Sequence, residues 1–98
     1  GVQTLALPIV TVARDTITEQ TQQVFANLEA GLKAAGSSLQ QVVKTTVFLQ
    51  DMNDFQAVNA VYVQAFPENP PARAALEASA LPLGASVAID AVARVKAD

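Results

Sequence analysis

The chain has 98 residues, a net charge of −3 and an isoelectric point near 4.6, and 51% of its residues are hydrophobic. This length suits one domain with a single core, and the six basic residues are too scattered to neutralise a run of phosphates, which argues against DNA or RNA as a partner. Cysteine and histidine are both absent, which excludes disulfides, thiolate nucleophiles, the commonest general base and the commonest zinc ligand.

The apolar character of so short a chain bears on its location and assembly. No stretch is long enough to span a bilayer, and the apolar opening segment, residues 5–12, contains Pro8 and lacks the basic start of a secretory signal. We therefore expect a cytoplasmic protein with no membrane partner. A mean hydropathy of +0.29 is high for a small domain. Because large apolar patches seldom stay exposed on monomers, we also expect an oligomer.

The first half of the chain predicts an extended segment followed by a helix. Residues 5–12 are apolar around Pro8, which indicates extended structure with the proline at a bend or a sheet edge. Thr16 followed by Glu19 fits a capping box, and the helix should end at Gly36, which readily takes a left-handed conformation. The core stripe of this helix is expected to consist of Val24, Leu28, Leu32 and Ala35, with Thr21 and Phe25 beside it.

The rest of the chain predicts three strands and a second helix. Residues 42–49 alternate as a strand with apolar or β-branched members on both faces. Asn53 or Asp54 is expected to cap the next helix, and residues 72–80 and 86–95 form two further extended segments. The order extended–helix–strand–helix–strand–strand predicts an α+β fold in a single domain, with two helices packed on one face of a mixed β-sheet.

Three stretches of the chain stand in an order and at a spacing typical of one known family. They are residues 20–36 followed by Val42-Val43-Lys44-Thr45-Thr46-Val47-Phe48-Leu49, then Asp51-Met52-Asn53-Asp54-Phe55 continuing to Tyr62, then Pro71-Ala72-Arg73-Ala74-Ala75-Leu76 with Leu81-Pro82 behind it. Over residues 16–95 the chain resembles the Rid family of reactive-intermediate deaminases, also called L-PSP proteins. The resemblance implies a chorismate-mutase-like fold and a homotrimer with ligand sites between subunits. It also implies hydrolysis of 2-aminoacrylate and related imines to a 2-keto acid and ammonium, with no metal or organic cofactor.

Arg73 is the first candidate site residue, because it matches the family arginine that pairs with the substrate carboxylate. A planar guanidinium at the start of a strand can grip a carboxylate through two parallel hydrogen bonds, which gives orientation as well as affinity. The alternative is a structural ion pair, for which Glu77 is the obvious partner. The Pro-Ala-Arg context favours ligand binding.

The sequence departs from the family pattern mainly at the acidic residue that is expected to act with Arg73. Ala88 stands where the family carries a glutamate thought to hold or activate the attacking water, and a methyl group cannot do this. Asp90 lies two residues on, on the same face of the strand and about 7 Å further along, and is the catalytic candidate to take over through a bridging water. Its alternative is a match to a second acidic position common in the family. Glu77 is a weaker substitute.

The remaining candidates lie on the second helix and the first predicted strand. Asn59 matches the asparagine of a family Val-Asn pair near the cleft and is expected to bind ligand, or else to form a surface or inter-subunit hydrogen bond. Tyr62 lies on the apolar stripe of the helix and is expected in the core. Lys44 is expected to be structural or to lie at a trimer interface.

Three functions follow from these residues. The first is a 2-iminobutanoate/2-iminopropanoate deaminase, in which Arg73 fixes the carboxylate and Asp90 assists the attacking water. The second is a non-catalytic binder of small 2-keto or carboxylic acids, favoured by Ala88 and by the lack of a tyrosine before Tyr62. In the family an N-terminal hairpin supplies a tyrosine to the pocket, so either this chain is a fragment or cleaved form, or the protein has lost the hairpin. The third is an endoribonuclease or translation inhibitor, against which the acidic isoelectric point, the lack of histidine and the scattered basic residues all count.

Overall fold

The computed structural model describes residues 2–6 and 16–95 of the chain. Its main elements, in chain order, are β1 (Val2–Ala6), α1 (Ile17–Ala34), β2 (Val42–Leu49), α2 (Phe55–Ala65), β3 (Ala72–Glu77) and β4 (Val87–Arg94). The predicted order of strands and helices is confirmed from α1 to β4. The predicted extended segment at residues 5–12 overlaps β1 only at its first two residues, and its remainder, with Pro8, lies outside the described residues.

The four strands form one mixed sheet in the order β1-β4-β2-β3. Strands β2 and β3 are parallel, joined by the crossover through α2, whereas β4 runs antiparallel to both β1 and β2. Strand β3 is therefore an edge strand. The two helices pack on one side of the sheet, which confirms the predicted α+β architecture of two helices on one face of a mixed sheet.

The sheet has a face covered by the helices and an open face, and β4 shows the alternation most clearly. Its residues Val87, Ile89, Ala91 and Ala93 are buried, while the residues between them are half-buried or, at Arg94, exposed. In β2 the buried positions beyond Val42 are Thr45, Val47 and Leu49. Because side chains alternate along a strand, this pattern fixes which site residues can meet.

Helix α1 begins and ends as the sequence predicts. The Thr16 hydroxyl accepts a hydrogen bond from the Glu19 backbone N–H at 3.1 Å, and the Glu19 carboxylate accepts from the Thr16 N–H at 3.3 Å, which completes the capping box. At the other end Gly36 has φ +81°, and the Ser37 N–H donates to the Leu32 carbonyl at 2.7 Å. This is the Schellman arrangement that satisfies the last carbonyls of a helix.

The start of α2 differs from its prediction. Neither Asn53 nor Asp54 caps the helix with its side chain; instead the Asp51 carboxylate accepts from the Asn53 N–H at 2.9 Å. Asp54 does stand at the predicted N-cap position, but Met52–Asp54 form a 3-10 turn that runs directly into α2, and the side-chain hydrogen bond forms at the start of that turn.

Strands β3 and β4 are also shorter than predicted. Strand β3 ends at Glu77, not residue 80, because pairing with β2 stops after the Ala78 N–H donates to the Leu49 carbonyl at 2.8 Å. Strand β4 is shorter than predicted by one residue at each end.

An aromatic cluster joins the two helices. Phe25 of α1 meets Tyr62 and Phe66 of α2 edge-on, with ring centroids 5.8 and 5.9 Å apart, and Tyr62 and Phe66 lie 4.9 Å apart. Such pairs are worth about 0.5–1.5 kcal/mol beyond the area they bury. The cluster therefore fixes α2, which carries most of the candidate site, against α1. Within the described residues, no helix combines the length and hydropathy required to cross a membrane.

Candidate functional site

Arg73 lies on the helix-covered side of the edge strand. In the parallel register of β2 and β3 it stands opposite Thr45, which is buried, so the two side chains share the covered face. Because β3 is the last strand, nothing in the sheet lies beyond Arg73, and its side chain reaches α2 at the margin of the covered face. The residue as a whole is exposed.

Three side chains of α2 hold the guanidinium. Arg73 Nη1 donates to Asn59 Oδ1 at 2.5 Å, and the Arg73 Cζ lies 5.1 Å from the ring centroid of Phe55 and 4.6 Å from that of Tyr62. Residues spaced by four and then three positions lie along one stripe of a helix, so the three groups form a continuous surface for Arg73. The predicted pair of Arg73 and Asn59 is thus brought together.

An ion pair between Arg73 and Glu77, the structural alternative, is not present. Glu77 Oε1 instead accepts a hydrogen bond from the Met52 N–H at 3.0 Å, four residues further along β3. The ion pair found in the described part of the chain joins Lys33 to Glu29 at 3.5 Å. Arg73 therefore has no carboxylate partner among residues 16–95, and its remaining N–H groups are available to an acidic ligand.

A cavity of about 420 Å³ opens beside the guanidinium. Most of its lining residues are apolar or aromatic, and Arg73 is the charged one among those that the structure describes; the lining consists of Asn59, Tyr62, Val63, Phe66, Pro70, Pro71 and Arg73. Small-molecule sites are typically apolar with a few polar groups that fix the orientation of the ligand. The cavity therefore suits a small apolar molecule that carries a carboxylate.

Asp90 and Ala88 lie on the other side of the sheet. They pair with Thr46 and Phe48 of β2, whereas the Arg73 side chain shares the covered face with Thr45. Strand β2 also stands between β4 and β3. One chain consequently brings Arg73 and Asn59 together but not Arg73 and Asp90.

Sequence reasoning missed the roles of Phe55, Tyr62 and Thr45. Tyr62 is a core residue, as expected, but its ring also contacts Arg73, and its hydroxyl forms a hydrogen bond of 2.7 Å with Thr45 Oγ1. The available signal was the spacing of Phe55, Asn59 and Tyr62 on one stripe of α2. That spacing does not reveal which strand residue lies against the stripe, because this depends on the pairing of β2 with β3.

Fold and site together define a small α+β domain with an arginine at the edge of a cavity. The family described as "Endoribonuclease L-PSP" matches residues 7–95, and the chain belongs to this family. Proteins similar to this chain are named as a 2-iminobutanoate/2-iminopropanoate deaminase and as a member of the Rid family, so the resemblance to Rid proteins is confirmed.

Two relatives show the extent of the sequence match. A RutC family protein of Pyrococcus horikoshii is 48% identical over 82 residues, which cover 84% of this chain and 65% of that protein. The human 2-iminobutanoate/2-iminopropanoate deaminase is 49% identical over 77 residues, which cover 79% of this chain and 56% of that protein. The chain thus spans less than two-thirds of the length of either relative.

Solved structures agree with the fold. A protein of the Rid family from Yersinia pestis matches with a TM-score of 0.87 at 36% identity, over 97% of this chain and 81% of that one. RidA from an Antarctic Psychrobacter matches with a TM-score of 0.80 at 43% identity, over 84% of this chain and 67% of that one. The architecture of two helices on a mixed sheet is therefore shared with experimentally determined members of the family.

Proposed function

We propose that this chain carries the carboxylate-binding site of an imine deaminase, which hydrolyses small 2-imino acids to 2-keto acids and ammonium. The observation that carries the proposal is the environment of the Arg73 guanidinium. Its guanidinium lies at a largely apolar cavity, is held by Asn59 and two aromatic rings, and has no carboxylate partner among residues 16–95. Relatives named as 2-iminobutanoate/2-iminopropanoate deaminases support the reaction class.

In the proposed reaction Arg73 fixes the substrate by its carboxylate. Two parallel N–H···O bonds to the carboxylate orient C2 of the imine, and such charge-assisted bonds are worth about 1.5–3 kcal/mol each. Water then adds to C2 and the C=N bond becomes a single bond, with a proton passing to nitrogen. The carbinolamine expels ammonia as its hydroxyl proton leaves, which restores a C=O bond. No electrons leave the system, so the reaction needs no redox cofactor.

The water-activating group is proposed to come from another copy of the chain. Asp90 lies half-buried on the open face, opposite Thr46 of β2 and between Ala88 and Val92 along β4. A homotrimer that covers this face would bring Asp90 of one subunit towards Arg73 of another. The exposed apolar side chain of Leu76 on the edge strand, which is 51% accessible, supports such burial.

One observation favours a second function, the binding of small 2-keto or carboxylic acids without turnover. Among the described residues, those that line the cavity include no carboxylate, and Ala88 offers only a methyl group on the open face. General acid–base assistance is typically worth 10²–10⁴-fold in rate, so a chain without it would bind the acid but turn over the imine slowly. A cytoplasmic location and the absence of a nucleic-acid partner stay predictions of the sequence.

The deciding experiment is the release of 2-keto acid and ammonium from enzymatically generated 2-iminopropanoate. We expect release above the spontaneous rate with the unmodified protein and loss of that excess with Arg73→Ala. Arg94→Ala removes the same type of exposed side chain at the far end of β4 and is the matched control, expected to retain the activity. Equal rates for the unmodified protein and Arg73→Ala would remove the enzyme hypothesis, and Arg73-dependent binding of 2-ketobutyrate without turnover would establish the second function instead.

A further inference from the structure

Tyr62 makes two contacts at once, one with the core and one with the candidate site. Its hydroxyl lies 2.7 Å from Thr45 Oγ1, and the two residues are only 3% and 1% exposed. The face of its ring lies under Arg73, with the guanidinium Cζ 4.6 Å from the ring centroid. A residue that only filled the core would not need the second contact.

We propose that Tyr62, held by Thr45, is a positioning residue that sets the plane of the Arg73 guanidinium for two-point binding of a carboxylate. The inference rests on the proposed function, because it concerns the same site. It assigns Tyr62 no contact with the reacting atoms. Tyr62 also lines the cavity, but its proposed effect on carboxylate binding passes through the orientation of Arg73.

The geometry of the sheet links the three residues. Thr45 and Arg73 stand directly opposite each other on β2 and β3, and both side chains lie on the covered face. The Tyr62 side chain extends from α2 towards this pair. Its hydroxyl contacts Thr45, and the face of its ring contacts Arg73. A change in the Thr45–Tyr62 hydrogen bond therefore alters the surface on which the guanidinium rests.

One hydrogen bond alone cannot orient the guanidinium. The bond from Arg73 Nη1 to Asn59 Oδ1 fixes one N–H group but leaves rotation about that bond free. A carboxylate accepts two parallel N–H groups only when the guanidinium plane coincides with its own. The rings of Tyr62 and Phe55 supply further restraint, because a cation is attracted to the face of an aromatic ring, and the Tyr62 ring lies nearer to the Arg73 Cζ, at 4.6 Å against 5.1 Å.

The chain carries its own probe for this interaction. Tyr62 is the single tyrosine of the sequence and there is no tryptophan, so tyrosine emission reports Tyr62 alone. Butanoate, which does not absorb in this range, is the titrant. We expect a saturable change in emission with the unmodified protein and none with Arg73→Ala. Binding of butanoate by calorimetry with no change in emission would overturn the inference.

Substitutions separate positioning from stability. Without the Tyr62 ring the guanidinium should lose one of its two charge-assisted hydrogen bonds to the carboxylate, so Tyr62→Leu should weaken butanoate binding roughly tenfold or more. Tyr62→Phe keeps the ring but loses the bond to Thr45, and should weaken binding about 2- to 4-fold. Thr45→Val should do the same, and the double variant should be no worse than either alone, because both remove one shared interaction.

A core variant on the same strand is the control. Leu49 lies four residues after Thr45 on the same face of β2 and is fully buried. The substitution Leu49→Val should lower the melting temperature while leaving the butanoate affinity within twofold. Affinities of the Tyr62 and Thr45 variants within 1.5-fold of the unmodified protein would overturn the inference, as would an equal loss in Leu49→Val. If the unmodified protein binds butanoate in this pattern but hydrolyses no imine, the proposed catalysis fails while the positioning role stands. If it binds no carboxylate, both fail.

Discussion

Replacing Asn59 by aspartate should raise stability and lower ligand affinity. In the native chain Asn59 Oδ1 accepts a hydrogen bond from Arg73 Nη1 at 2.5 Å without neutralising the guanidinium. Aspartate preserves the shape and the acceptor but adds a negative charge, so Asn59→Asp creates the internal ion pair that the native chain lacks. The substituted residue then competes with the carboxylate of the ligand for the same cation.

The two expected effects differ in size. Because Arg73 is exposed, the new ion pair should add only about 0.2–1 kcal/mol to the free energy of unfolding, a rise of a few degrees in melting temperature. Two carboxylates roughly 5 Å apart repel each other by about 1–3 kcal/mol at effective dielectric constants of 80 to 20. The affinity for 2-ketobutyrate should therefore fall roughly 5- to 150-fold.

The assay pairs calorimetric titration with 2-ketobutyrate and thermal denaturation followed by circular dichroism. Asn27→Asp is the matched control, because Asn27 accepts a hydrogen bond from the exposed Gln23 side chain on α1 and lies far along the chain from the site. We expect its affinity for 2-ketobutyrate to stay within twofold of the unmodified protein. Unchanged or tighter binding by Asn59→Asp would refute the assignment of Arg73 as the carboxylate-binding group.

Three further predictions concern the helix ends and the open face. Gly36→Ala places a side chain at φ +81°, where the backbone strain costs about 1 kcal/mol, although the new methyl would contact only Val95, at 3.9 Å. This substitution should lower the melting temperature by several degrees. Thr16→Ala removes the capping box and should destabilise the chain by about 1 kcal/mol in urea denaturation, with ligand affinity unchanged. Asp90→Asn should reduce imine hydrolysis at least tenfold while leaving 2-ketobutyrate binding within twofold; equal turnover would show that Asp90 takes no part.

The local features of the fold were predictable from the sequence, because they depend on neighbouring residues. The capping box at Thr16 and the left-handed Gly36 bound α1 as the pattern predicts. Asp54 stands at the predicted N-cap of α2, but its side chain forms no capping hydrogen bond, because the Asp51 carboxylate accepts from the Asn53 N–H in the 3-10 turn before the helix.

The candidate site was predictable only in part. Arg73 came from its family context and from the chemistry of guanidinium and carboxylate. Its contacts with Phe55 and Tyr62 depend on the register that sets Arg73 opposite Thr45, which no local pattern specifies. The same register places Asp90 on the face away from Arg73, a relation between distant strands that strand alternation alone does not give.

The side chains around Arg73 all come from one continuous stretch of chain. Thr45 is on β2, Phe55, Asn59 and Tyr62 are on α2, and Arg73 is on β3, so a single βαβ unit contains all the residues of the proposed carboxylate-binding site. In evolutionary terms this makes recognition modular. The segment before β2 and the strand after β3 can diverge, and with them assembly and the water-activating group, while carboxylate recognition is inherited intact as one block of sequence.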